Sequence, residues 1–371
     1  MTNRRSFLGG AGSALGGLLF CGCGLLHARK AQAQPAPAAP AVRRPKQRVK
    51  VIDTHAHCFF QEAIDLMGPD AGNVMPKVKG AMEHLIPQQL ESRLRMMDGQ
   101  GVDLQVLSIN PFWDRKDADT ARAICGLQNQ KLGELCAQHP DRFAAFASLP
   151  LQNPQLAVQM LDDAVRKYRL RGAAIGGSFI GRDFSNPEFH PVWAKAEELG
   201  AVLFIHPQST PQLNDRFRGN GWLSNVIGNP LDTTIALNKL IFEGTLDKFP
   251  GLKVLAAHGG GYFGSYAPRS DHSCYVSPQN CNPDIRLRKN PSDYLRQIYV
   301  DSLVFTGPAL RYLVSQAGAS QVVIGSDSPI PWNEQPVDHV LNTEGLSQAE
   351  KEAILGGNAA RLFGLSSARP A

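Results

Sequence analysis

The stretch "VKVIDTHAHCFF", residues 49–60, is an apolar, β-branched run that closes on Asp53, His55 and His57 at alternate positions. Val49 to Ile52 read as a buried strand. Residues two apart on a strand share a face, so His55 and His57 aim the same way at or just past its end. Two imidazoles converging on one point are part of a metal site that needs further ligands; without them they are surface histidines beside a turn. Cys58 points away from the pair and reads as packing. The decision rests on what closes the other strands.

Strand-like runs recur along the chain at 49–55, 102–109, 143–150, 172–179, 201–207, 253–260, 298–305 and 321–329. They are short and apolar on both faces, as buried parallel strands are. Helix-like segments separate them. "PQQLESRLRMMDGQG" carries apolar residues at helical spacing and stops on glycine. "NPQLAVQMLDDAVRKY" opens on Asn-Pro, an N-cap followed by proline at the first helical position. "HPVWAKAEELG" and "NPLDTTIALNKLIFEGTLDKFP" repeat the pattern. Eight strands alternating with helices predict an α/β fold, a (β/α)8 TIM barrel forming a single domain over residues 49–371. An open doubly wound sheet is the rival, and no glycine-rich phosphate fingerprint opens an early helix.

Chemistry in such barrels gathers at the C-terminal strand ends. There the fifth strand brings His206 in "FIHP", the sixth His258 in "AAHGGG" and the eighth Asp327 in "GSDSP". A lone His206 would read as a satisfied core histidine. Four histidines and an aspartate at matching ends predict a shared metal site to which the first strand contributes two ligands.

The 371 residues are 43% hydrophobic and 19% charged, an ordinary globular composition. The net charge of +5 is partly concentrated before residue 51, leaving the remainder close to neutral or slightly acidic, so nucleic acid is not an expected partner. "NRRSFLGG", with Arg4 and Arg5, precedes a weakly apolar, glycine-rich run and "HARKAQAQ". Residues 1–33 are thus expected to be a cleaved twin-arginine signal peptide that engages the twin-arginine export machinery and directs the chain to the periplasm. Lipid anchoring at Cys21 or Cys23 is disfavoured by Phe20. Residues 34–48, rich in Pro and Ala, are expected to be a flexible tether. Of the 7 cysteines, five lie beyond the signal; Cys274 and Cys281 could pair in an oxidising compartment or remain free thiols.

The stretches "DTHAH", "MMDGQGVDLQVLSINP", "DRFAAFASLPLQNP", "FIHPQ", "NPLDTTIALNKLIFEGTLDKFPGLKVLAAHGGG", "YVDSLV", "VVIGSDSP" and "GGNAARLFGL" resemble the amidohydrolase superfamily, and within it the aminocarboxymuconate-semialdehyde decarboxylase-like family. The resemblance spans roughly Val49 to Leu365. It implies that His55, His57, His206 and Asp327 are metal ligands and that His258 is catalytic. It also implies that Arg269 is lent to a neighbouring subunit's site to hold a substrate carboxylate, and hence a homodimer. The named decarboxylase carries a second carboxylate-binding arginine in the insertion after the first strand. Here that insertion, residues 61–87, contains no arginine, and Lys77 and Lys79 are its only lysines. The fourth strand also ends without a lysine that could bridge two metals, which points to one.

Three imidazoles and a carboxylate suit one divalent zinc, with manganese or iron as other candidates. An open coordination position would hold a water made more acidic by the metal; Asp327 would ligate the metal and orient that water, and His258 would carry a proton as base and then acid. The glycines after His258 would let backbone approach substrate, make a tight strand-to-loop turn, or do both. Phe59, Phe112, Trp113 and Trp222 fall on the active face, where Phe112 and Trp222 would contact a planar small-molecule carboxylate. Asp301, ending the seventh strand, is either structural or hydrogen-bonded to the site. Two enzyme readings stay open: non-oxidative decarboxylation of an unsaturated or aromatic acid, and hydrolysis of a lactone or amide. A metal-dependent binding protein on a dead barrel would have lost His258 or a ligand, and none is missing.

Overall fold

The structure, a computed structural model, describes residues 49–74 and 77–368. The expected signal peptide and tether, up to residue 48, lie outside the described residues. Eight strands run in chain order: β1 (Ile52–His57), β2 (Leu104–Ser108), β3 (Phe143–Ala145), β4 (Gly172–Ile175), β5 (Val202–Ile205), β6 (Lys253–Ala256), β7 (Tyr299–Asp301) and β8 (Val322–Val323). All neighbours are parallel and sequential, β1 to β3 in one ladder and β4 to β8 in another. Parallel bridges close both seams, Ala147 to Ala173 and Ala56 to Ser328. At the second seam Asp327 N donates to His55 O at 2.9 Å and His57 N to Ser328 O at 2.7 Å. The sheet is therefore a closed eight-stranded barrel, as the alternation of elements predicts, though several strands are shorter than their apolar runs. β8 is two residues long, and the chain beyond it stays hydrogen-bonded to β1 through Ile324 and Asp327.

Two apolar layers hold it. Ile52, Val106, Phe146, Phe204, Leu255 and Val323 pack inside the barrel, and a larger cluster fills the space between strands and helices. The helices start where the sequence signals them. Asn153 Oδ1 accepts from Leu156 N at the head of Pro154–Arg166, and Leu90–Gln100 ends on Gly101 in the left-handed region, φ 76°. The stretch read as one helix around 229–250 is two, Gly228–Phe242 and Thr245–Lys248, because Gly244 adopts φ 70° between them.

The glycines after His258 serve the turn. Gly259, Gly260 and Gly261 all have positive φ. A Cβ on Gly261 would lie 2.2 Å from Pro230 O, and one on Gly259 2.6 Å from the Val304 side chain. Protein neighbours therefore require the missing side chains at Gly259 and Gly261, as a tight turn does.

Candidate metal centre

β1 does more than alternate. Its pairing with β2 shifts between Asp53 and Ala56, so Ile52 and His55, three apart, both face the barrel interior. The His55 ring packs on Phe204 of the inner layer, centroids 5.1 Å apart. This irregularity swings Asp53 out of the centre. Asp53 Oδ1 accepts from Ser326 N at 3.1 Å, and Oδ2 accepts from Ser326 Oγ at 2.6 Å and Gln105 Nε2 at 3.0 Å. Gln105 Oε1 in turn accepts from buried Arg93 Nε at 2.9 Å, and Arg93 donates to His57 O at 2.6 Å. Asp53 thus ties the histidine strand to the turn that presents Asp327.

His206 lies one residue past β5, and His258 and Asp327 sit beyond β6 and β8 with φ of 56° and 60°. These left-handed backbones turn the last two side chains inward, a strain that non-glycine residues sustain chiefly at functional sites. One ligand-type atom from each of His55, His57, His206 and Asp327 lies within 4.8 Å of the others, and all four residues are buried. His57 Nε2 approaches Asp327 Oδ1 to 2.9 Å and His55 Nε2 to 3.3 Å, yet neither nitrogen has a hydrogen bond of acceptable alignment. Both ring nitrogens of His206 are buried without a partner among the described residues. Buried polar atoms are ordinarily satisfied, so this donor set fits a cation coordinated at its centre. The outer atoms are already committed. His55 Nδ1 donates to Asp301 Oδ2 at 2.7 Å, and His57 Nδ1 meets Ser108 Oγ at 2.9 Å. Both contacts leave Nε2 free to ligate, the usual device for fixing a metal-binding imidazole.

The electrostatics agree with a site built for positive charge. Burial pushes the Asp327 carboxyl up, but His55, His258 and His57 together hold it well below the ordinary carboxylate value. Burial lowers His206 and His57, keeping both neutral. Burial also opposes charge on His55, but the carboxylates of Asp327 and Asp301 outweigh it and raise that imidazole to about 10.

Among the described residues, two cavities open on the centre. One, of ≈ 290 Å³, has His57, His206, Asp327 and Phe112 in its wall, with Trp222 at the rim. The other, of ≈ 190 Å³, has His258, Asp327 and Gly261. Asn225, Asn229, Asp327 and Trp332 are common to both. His258 Nε2 is 3.8 Å from Asp327 Oδ2, outside the ligand set and beside it. Phe59 joins the wall of the larger cavity, but Trp113 does not: it is fully buried, its Nε1 donating to Leu149 O at 2.9 Å, and packs behind the site. Arg269 is exposed on the helix Phe263–Asp271 and lines neither cavity of its own chain. Cys58 packs in the core, and Cys274 and Cys281 are disulfide-bonded.

Sequence reading missed four residues here. Ser108 ends β2 and is indistinguishable in sequence from any strand-end serine. Trp332, stacked on Trp222 at 5.7 Å, follows "SDSPIP" and was within reach of the strand-end rule. Asn110, in the wall of the larger cavity, directly follows the second strand-like run and was within reach of the same rule, whereas His84 in that wall carries no local signal.

A family profile described as amidohydrolase matches residues 52–365. The 2-amino-3-carboxymuconate-6-semialdehyde decarboxylase of Dictyostelium discoideum is 34% identical over 74% of this chain and 76% of its own length. Among solved structures, 5-carboxyvanillate decarboxylase from Sphingomonas paucimobilis superimposes with a TM-score of 0.75 at 25% identity, over 85% of this chain and 99% of that one. A dihydroxybenzoic acid decarboxylase from a Polaromonas species, with bound manganese and 2-nitroresorcinol, does so with a TM-score of 0.73 at 25% identity, over 85% and 96%. On the span of the profile and the identity to these relatives, the chain belongs to the amidohydrolase family.

Proposed function

We propose that this protein is a metal-dependent, non-oxidative decarboxylase of an unsaturated or aromatic carboxylic acid. The observation that carries the reading is Asp327, a buried carboxylate that joins the metal quartet and also faces both cavities with His258 at 3.8 Å. The names of the relatives support it: three decarboxylases of carboxylated small molecules.

His55, His57, His206 and Asp327 would hold one divalent ion. Zinc suits three imidazoles and a carboxylate, and manganese is the alternative on the strength of the Polaromonas relative. When bound, the ion supplies Lewis acidity toward a substrate oxyanion. The chain does the rest. His258 delivers a proton to the carbon that bears the carboxylate; the C–C bond then breaks, its electron pair returns to the unsaturated system, and CO2 leaves. No oxidant or reductant is needed. Asp327 stays anionic beside His258 and steadies the imidazolium before it gives up its proton. Phe112 and Trp222 offer apolar faces to a flat ring. Arg269, exposed and outside the lining of its own cavities, is assigned to the neighbouring copy's site in a homodimer, where it would bind the substrate carboxylate. Arg4 and Arg5 are assigned to export by the twin-arginine route into the periplasm.

The test is turnover by the metal-loaded protein on a panel of hydroxylated benzoates and on lactones and amides, following CO2 and hydrolysis separately. CO2 release that stops on metal removal is the expected result. Hydrolysis without CO2 would overturn the reading in favour of a hydrolase.

A further inference from the structure

The larger cavity has a wall that the metal chemistry leaves unused. His84, in the insertion after β1, is 2% exposed. Its ring stacks on Phe59 at 5.2 Å and lies parallel to His57 at 6.5 Å, one ring's width outward from the metal ligands. His84 Nδ1 sits 3.1 Å from Gly80 O and 3.0 Å from Ala81 O. Carbonyl oxygens only accept, so Nδ1 must carry the proton. In a neutral imidazole that leaves Nε2 with a lone pair and no hydrogen. Nε2 meets no donor among the described residues, although the ring is part of the cavity wall. In the same wall, Asn110 Oδ1 is buried without a partner. Neither lysine nor arginine lines this cavity among the described residues.

The geometry points to His84 Nε2 as a hydrogen-bond acceptor that selects substrates bearing a second donor, a hydroxyl or amino group on the ring, away from the reacting carboxylate. This rests on the decarboxylase reading and adds a specificity residue to it. A hydroxyl placed there pairs with the imidazole lone pair. A second carboxylate there would meet that lone pair and the Asn110 oxygen with no cation from this chain to offset it.

Two substitutions separate recognition from loop anchoring. In His84→Asn the side-chain amide can still donate to the Gly80 and Ala81 carbonyls, but nothing replaces Nε2. In His84→Gln the longer amide reaches the Nε2 position and the loop contact is given up. The probes are 2-hydroxybenzoate and the 2,3-, 2,4-, 2,5- and 2,6-dihydroxybenzoates, titrated by calorimetry into the zinc-loaded full chain, with metal content checked for each variant. In the unmodified protein at least one dihydroxy isomer should bind about tenfold more tightly than 2-hydroxybenzoate, the worth of one added neutral hydrogen bond. That ratio should fall to near one in His84→Asn and persist in His84→Gln. An advantage that survives in His84→Asn and is lost in His84→Gln would make His84 a loop anchor and overturn the inference. So would the absence of any advantage while 2-hydroxybenzoate binds. Failure of every acid to bind would instead sink the aromatic-acid reading, and this inference with it.

Discussion

Asp301 Oδ2 accepts the Nδ1 proton of His55 at 2.7 Å, with both side chains wholly buried. The same carboxylate accepts from the backbone N–H of His258 at 2.9 Å, Gly259 at 2.9 Å and Leu303 at 3.0 Å. One β7 residue therefore fixes a metal ligand and the backbone that carries the proposed proton donor. Replacing Asp301 with alanine should lower metal affinity by about 10–100-fold, the usual cost of losing such an outer partner. Competition with a chromogenic chelator measures it. Unchanged affinity would leave Asp301 with only its backbone contacts to explain.

Loading the metal should release protons. Without metal, Asp327 and Asp301 raise His55 to about 10, so at pH 7 that imidazole is protonated and must lose its proton to ligate. His57 and His206 are lowered by burial and are already neutral. Proton and metal thus compete at every pH below the raised value, and metal affinity should rise with pH. Calorimetry of zinc binding in two buffers of different ionisation enthalpy should return roughly one proton per ion at pH 7. A value near zero would mean that His55 is neutral in the metal-free chain.

Gly325, two residues before Asp327, is pressed between β1 and β7. A Cβ there would stand 2.7 Å from Asp301 Cβ and 3.0 Å from His55 Cβ. Gly325→Ala should cost about 1–3 kcal/mol of stability through overpacking and displace the His55 ring. Denaturant midpoint and metal content should therefore fall together. Loss of neither would show that the barrel yields at this point.

His258→Ala should reduce kcat by about 10²–10⁴-fold while metal content is retained. Arg269→Ala should lower kcat/KM by roughly ten- to a hundredfold, the worth of a charge-assisted contact to a substrate carboxylate. Mixing the two variants supplies the sharper measurement. Heterodimers of the kind proposed would contain one site with His258 from one chain and Arg269 from the other, and activity should return. Subunit exchange without recovery would reduce Arg269 to a surface charge.

Changing Arg4 and Arg5 together to lysine should hold the precursor in the cytoplasm, checked by fractionation and immunoblotting. Normal periplasmic delivery of that variant would rule out the twin-arginine route.

The sequence by itself determined the parts that local chemistry can write. Short runs apolar on both faces and amphipathic stretches with their own caps made eight strands and the helices between them, because period and turn residues act over a few neighbours. Strand-end His55, His57, His206 and Asp327 were legible for the same reason: a barrel brings all its strand ends to one rim. The tertiary structure decided what depends on residues far apart in the chain. The register shift in β1 that puts Ile52 and His55 on one side follows from pairing with β2, and no residue of β1 announces it. Asp53, which the sequence places beside the two histidines without a role, holds Ser326 across the closing seam, 273 residues away. Trp113 and Phe112 are adjacent aromatics, yet packing buries the first and gives the second to the cavity. His84 shows no pattern in its own segment. It became a candidate only when the insertion folded against Phe59, spent one ring nitrogen on its own loop and made the ring part of the cavity wall.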